Sequence, residues 1–136
     1  MKINFIVNEQ DFNSTIDANI LSFLFKKIKA NTEIKLINVN NFKCENASIN
    51  IFLGTHNSLL FNYAKCNIFI PDNHSFKKTN TYILDSFDYI LCKSKYSQTL
   101  FQSVNDDQKY KDKVKFISWR STDMSNNSEK DYNSFL

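Results

Sequence analysis

Glycine and proline each occur once in these 136 residues, as does tryptophan. A single glycine removes whole classes of chemistry. A GxGxxG dinucleotide loop and a GxxxxGK[ST] phosphate loop both cradle phosphate with backbone that no side chain crowds, and both need more than one glycine. The GxSxG elbow of hydrolases fails on the same ground. Cysteine is scarce too: Cys44, Cys66 and Cys92 are odd in number, far apart and form no CxxC. They read as buried free thiols in a reducing, cytoplasmic setting rather than as a disulfide framework. Long apolar runs are missing. The opening MKINFIV turns polar at Asn8-Glu9-Gln10, too soon for a signal peptide, and Ile20–Phe25 reads as amphipathic helix rather than a membrane span. The net charge of +3 is scattered, and Lys26-Lys27 and Lys77-Lys78 read as solvated helix faces, so no nucleic-acid partner is expected.

What is present is bulk. Thirteen Phe, six Tyr and 42% hydrophobic residues supply the core of one domain. The stretch from Asn67 to Ser97 organises the rest. Ile68–Ile70 is a short apolar run stopped by Pro71, which cannot donate to a ladder. Asp72, Asn73, His74 and Ser75 offer helix caps, and Phe76 to Phe87 carries apolar residues at helical spacing. Tyr89–Cys92 is a second apolar run, closed by Lys93 and Ser94. Two such strands joined by about a dozen helical residues form a βαβ unit and therefore a parallel sheet.

Strands are also expected at Ile3–Val7, Ile34–Val39, Ile49–Leu53 and Val114–Ile117. Between them, Asp11–Lys29 is the clearest helix, carrying Phe12, Ile16, Ile20, Leu21, Leu24, Phe25 and Ile28 at 3–4 spacing, with lysines at its carboxyl end. Ser58–Lys65 reads as one or two helical turns, and a further helix starts at Tyr96. No internal repeat is evident. The pattern predicts an α/β fold: a Rossmann-like three-layer sandwich over residues 1–120, with a mostly parallel sheet of about six strands in the order 3-2-1-4-5-6. Residues 121–136 form a polar tail.

In a parallel sheet every strand ends on one edge, where open α/β sheets bind ligands. That edge collects the candidate site residues Glu9, His56, Asn57, Asp72, Asn73, His74, Lys93, Ser94, Arg120 and Asp123. Each has two readings. His56 can serve as a base or bind a hydroxyl, or stand as an exposed loop histidine. Asp72 with His74 can polarise a hydroxyl, or Asp72 can cap a helix. Lys93 and Arg120 can meet an anion or be solvated at strand ends. Spacing places no third protein ligand beside His74 and Asp72, so neither a metal nor a cofactor is expected. A phosphate-accepting receiver domain would end its third strand in Asp, where Leu53-Gly54 stands. As loop-surface residues, His74 and Lys93 are expected to tolerate alanine with little loss of stability.

Four stretches carry a family resemblance: Asn50–Gly54 (NIFLG), Asn67–His74 (NIFIPDNH), Asp88–Ser94 (DYILCKS) and Ser118–Asp123 (SWRSTD). Together they resemble the NIFLE, NI-x-IPN-x-E, D-x-ILCKT and G-x-TS-x-D stretches in the acceptor-side, N-terminal half of group 1-type GT-B glycosyltransferases of bacteria and large DNA viruses. The likeness runs from Ile49 to the end, while residues 1–48 match in pattern alone. Gly54 replaces the glutamate of the pattern, and His74 falls near its acidic position. The resemblance implies transfer of a sugar from a nucleotide-sugar donor to a hydroxyl of a sugar or protein acceptor, across a cleft closed by a second domain or chain. Glu9, Glu33, Glu45 and Glu129 provide no pair eight positions apart, the donor-side signature. By this reading the chain is a truncated, acceptor-side half, inactive alone, with residues 121–136 leading into an interdomain linker, located in the cytoplasm or, if viral, the host cytoplasm. A non-catalytic Rossmann-like binding module or subunit is the alternative, and a small α/β enzyme with its own substrate is a third.

Overall fold

The computed structural model describes residues 1–41, 44–72, 83–102 and 110–117. The elements are β1 (Lys2–Val7), α1 (Phe12–Ile28), β2 (Glu33–Asn38), β3 (Ala47–Leu53), a 3-10 helix (Ser58–Tyr63), β4 (Ala64–Ile70), β5 (Tyr89–Cys92), α2 (Lys95–Gln102) and β6 (Val114–Phe116). All six strands pair in parallel. The result is the expected α/β sandwich of the Rossmann-like class. Helix α1 covers one face of the sheet. The 3-10 helix, a 3-10 turn at 83–86 and α2 cover the other. As expected, β4 stops before Pro71, which is buried. Most of the helix expected between Phe76 and Phe87, and the tail from 121 to 136, lie outside the described residues.

Strand order departs from expectation. The sheet runs β2-β1-β3-β4-β5-β6, not 3-2-1-4-5-6. The reason lies in what each strand can bury. In β2, Glu33, Lys35 and Leu36 are exposed and only Ile37 is buried, the profile of an edge. In β3, Asn50 to Leu53 are all buried, which suits a place beside β1, where Ile3 to Val7 are buried. Among the described residues no helix intervenes between β2 and β3 to carry β3 outside β2.

A polar ladder fixes this arrangement. Asn4, Asn50 and Asn67 occupy matched positions of β1, β3 and β4. Asn4 Nδ2 donates to Asn50 Oδ1 at 3.0 Å, and Asn50 Nδ2 donates to Asn67 Oδ1 at 3.0 Å. The remaining amide hydrogens reach loop carbonyls: Asn4 to Glu45 O at 2.7 Å, Asn50 to Leu60 O at 2.9 Å and Asn67 to Phe61 O at 3.0 Å. Side-chain amides thus pin the 3-10 helix to the sheet and satisfy carbonyls that would otherwise be buried without donors. A one-residue slip would turn all three amides to the other face, so the ladder also sets register.

Two residues along from each asparagine, on the same face, stand Ile6, Phe52 and Phe69, within a cluster completed by Phe87, Leu60, Leu84, Ile90 and Phe101. Phe69 and Phe87 stack at 4.8 Å, and Phe52 meets Phe87 edge-on at 5.5 Å. Each such ring, fully buried, contributes roughly 1.5–3 kcal/mol. The opposite face packs Ile3, Phe5, Val7, Ile51, Leu53 and Ile70 against Ala18 of α1.

Candidate functional site

The strand order reverses between β1 and β3, so the crevice outside their carboxyl ends is where a doubly wound sheet accepts a ligand. Asp11 caps α1 there. Its Oδ1 accepts the Asn13 N–H at 3.1 Å, and Ser14 Oγ lies 2.7 Å from its Oδ2 and 3.1 Å from Leu53 O. The chain's single glycine sits opposite. Gly54 has φ +68, in the left-handed region, and donates its N–H to Ile70 O at 2.8 Å. A Cβ on Gly54 would stand 3.3 Å from Asp72 Cβ and 3.4 Å from Ser14 Oγ, so glycine lets the α1 cap and the end of β4 close on the end of β3. From β5, Lys93 reaches across to an ion pair with Asp17 of α1, whose side chain is 9% exposed against 32% for the lysine.

Asp11, Asn13, Ser14, Asp17, Gly54, Asp72 and Lys93 thereby line a cavity of about 20 Å³, floored by Leu53 and Ile70. That is room for about one water. Three carboxylates against one ammonium make this an acceptor-rich site, suited to hydroxyl or amine donors and unsuited to phosphate. Among the described residues, no group of three or more His, Cys, Asp or Glu is arranged to hold a metal ion.

Of the residues expected from sequence, Asp72 and Lys93 come together here. Glu9 is exposed at the end of β1. His56 does not line the cavity. Its ring packs edge-on to Phe69 at 6.4 Å on the other side of the sheet, and burial lowers its pKa. Asn57 and Ser94 serve local structure. Asn57 caps the 3-10 helix through Leu59 N–H at 3.1 Å and donates to Val39 O at 2.8 Å, and Ser94 Oγ accepts the Ser97 N–H at 3.1 Å at the start of α2. Asn73, His74, Arg120 and Asp123 lie outside the described residues. Asp11, Ser14 and Asp17 were not foreseen. Their signal was a polar set at i, i+3 and i+6 on one helix face, sharing that face with Ala18, Leu21 and Phe25.

Burial raises the pKa of Cys44, Cys66 and Cys92. The Asp88 charge adds to the rise at Cys66, and a hydrogen bond with Ser97 offsets part of it at Cys92. A wider hollow of about 390 Å³ lies at the opposite, amino end of the sheet, between Lys65, Cys66, Asp88, Tyr89, Asp112 and Lys113. It is shallow. Lys113 Nζ is spent on the carbonyls of Leu84 and Phe87, at 3.0 and 2.8 Å. No helix among the described residues is long and apolar enough to cross a membrane. No protein-family model matches the chain, and neither does any curated protein or solved structure.

Proposed function

We propose that the chain is the acceptor-side half of a GT-B-type glycosyltransferase, binding a polyhydroxylated acceptor at the carboxyl edge of its sheet and transferring no sugar by itself. The observation that carries this reading is the acceptor-rich cluster of Asp11, Asp17 and Asp72 around Lys93, at the mouth between α1 and the ends of β3 and β4. Carboxylates accept hydrogen bonds from sugar hydroxyls, and Lys93 donates to ring or hydroxyl oxygens once it parts from Asp17. The same charge set opposes a nucleotide diphosphate, which supports a reading in which a second domain or chain would hold the donor's phosphates. The stretches Asn50–Gly54, Asn67–His74, Asp88–Ser94 and Ser118–Asp123 supply the family resemblance, and the first three of them contribute Gly54, Asp72 and Lys93 to this cluster.

The narrowness of the cavity favours a second reading. With Lys93 held by Asp17, the site admits about one water, which supports a non-catalytic module or subunit with no reaction to run at this edge. One experiment separates the two. The chain is titrated with mono- and oligosaccharides by NMR, then assayed with nucleotide sugars for nucleotide release. Saccharide-dependent shifts at Asp17, Gly54 and Asp72, lost in Asp72→Asn, with release only after a donor-domain chain is added, are expected. Release by the chain alone defeats the half-enzyme reading. Shifts without release under any condition leave the binding module.

A further inference from the structure

Helix α1 is apolar on two sides. Its sheet side buries Ser14, Asp17 and Ala18, with Leu21 and Phe25 packed against the core. Phe12, Ile16, Ile20 and Phe23 follow at steps of four, four and three, which keeps them on one face, roughly 160° around the axis from the buried set at 3.6 residues per turn. Phe12 is 76% exposed and Phe23 62%. Ile16 and Ile20 between them are half-buried. The line is free of charge until Lys27, whose Nζ stands 5.2 Å over the Phe23 ring. An apolar line of this kind, flanked by the exposed Asn19, is a candidate interaction surface.

The charges at its two ends identify the occupant. Glu9 and Asp11 lie at the amino end of α1, and Lys26, Lys27 and Lys29 at its carboxyl end. We propose that this face joins a second copy of the chain through an antiparallel, two-fold α1–α1 contact. A two-fold interface must be self-complementary: each residue meets a counterpart that meets it in return. Crossing near Asp17–Ala18 sets Phe12 against the partner's Phe23 and Ile16 beside the partner's Ile20. It also brings Glu9 to the partner's Lys26 and Lys27, twice over. A parallel pairing would stack lysine on lysine and align the helix dipoles, so charge selects the antiparallel form. The cluster at the carboxyl edge stays accessible, because Ser14 and Asp17 point the other way.

Sedimentation of the full chain over a dilution series tests this. A dimer that dissociates on dilution is expected. Phe12→Glu with Phe23→Glu should abolish it without changing the circular-dichroism spectrum, whereas Leu59→Glu, on the 3-10 helix, should leave it intact. Lys26→Glu with Lys27→Glu should weaken the dimer, and adding Glu9→Lys to that same chain should restore it. A wild-type chain that stays monomeric throughout overturns the proposal, as does a dimer indifferent to the phenylalanine changes. A monomer that instead partitions onto anionic vesicles through the same residues also overturns it.

Discussion

Two polar clusters sit in apolar surroundings in this domain, and they are built on opposite plans. Asn4, Asn50 and Asn67 are 1%, 0% and 7% exposed, neutral, and joined to one another and to loop carbonyls. Asp11, Ser14, Asp17, Asp72 and Lys93 are charged for the most part and gathered at strand ends and a helix cap. The first cluster leaves nothing for a ligand, since its amide hydrogens are used internally. The second gathers three carboxylates around one ammonium. The contrast is between a neutral network closed on itself and a charged group placed at the sheet edge where open α/β sheets bind ligands.

Breaking the closed cluster should have the largest effect. Asn50→Ala removes both ladder bonds and strands the Leu60 carbonyl, all at a fully buried position. Stability should fall by roughly 3 kcal/mol, since each buried group left without a partner costs about 1–3 kcal/mol. Denaturant melts should show a lower midpoint with an unchanged slope. A loss under about 1 kcal/mol would show that water enters and replaces the amide.

The open cluster yields a smaller loss. Lys93→Ala leaves the nearly buried Asp17 carboxylate without its cation, and should cost about 1–2 kcal/mol. That is less than for a fully enclosed pair, because water reaches the lysine head. Replacing both, Asp17→Leu with Lys93→Met, should recover most of it. A double variant no better than the single would mean that the pair is not the source. The ion pair thus predicts a larger loss at Lys93 than a strand-end surface position alone would.

His56 gives the smallest effect. Burial holds its pKa below the ordinary 6.5, so the unfolded chain takes up the proton more readily. The stability tied to neutral His56 is complete above about pH 6.5 and is lost as pH falls through the lower folded value. Between about pH 8 and pH 5, the wild type should lose slightly more melting temperature than His56→Gln. Parallel curves would place the ring in water.

The alternation of apolar runs and helices was readable because burial leaves a plain mark on composition. Tyr89–Cys92 shows as a strand by its residues alone. Order was not readable in this way. It depends on which strands carry matching asparagines, and Ile3-Asn4-Phe5-Ile6-Val7, Ile49-Asn50-Ile51-Phe52-Leu53 and Cys66-Asn67-Ile68-Phe69-Ile70 share that pattern without it standing out as a repeat. The packed side of α1 was hidden for a related reason. The large residues suggested the core, but Ser14, Asp17 and Ala18 are small or polar enough to let the helix lie close to the sheet. At the site, strand ends pointed to Asp72 and Lys93, while Asp17 needed the helix to be placed first.

The asparagine ladder has a consequence before folding is complete. Three segments of the newly made chain carry nearly the same short, uncharged, β-branched and aromatic sequence, each with one amide at the same offset. In the native sheet they lie side by side in a single order. In an unfolded population, any of them can stack on its own counterpart in another molecule, with amides in register, as in cross-β fibrils. What makes the centre of this domain specific when folded makes it sticky when not, and refolding at high concentration should end in aggregate before the sheet can assemble.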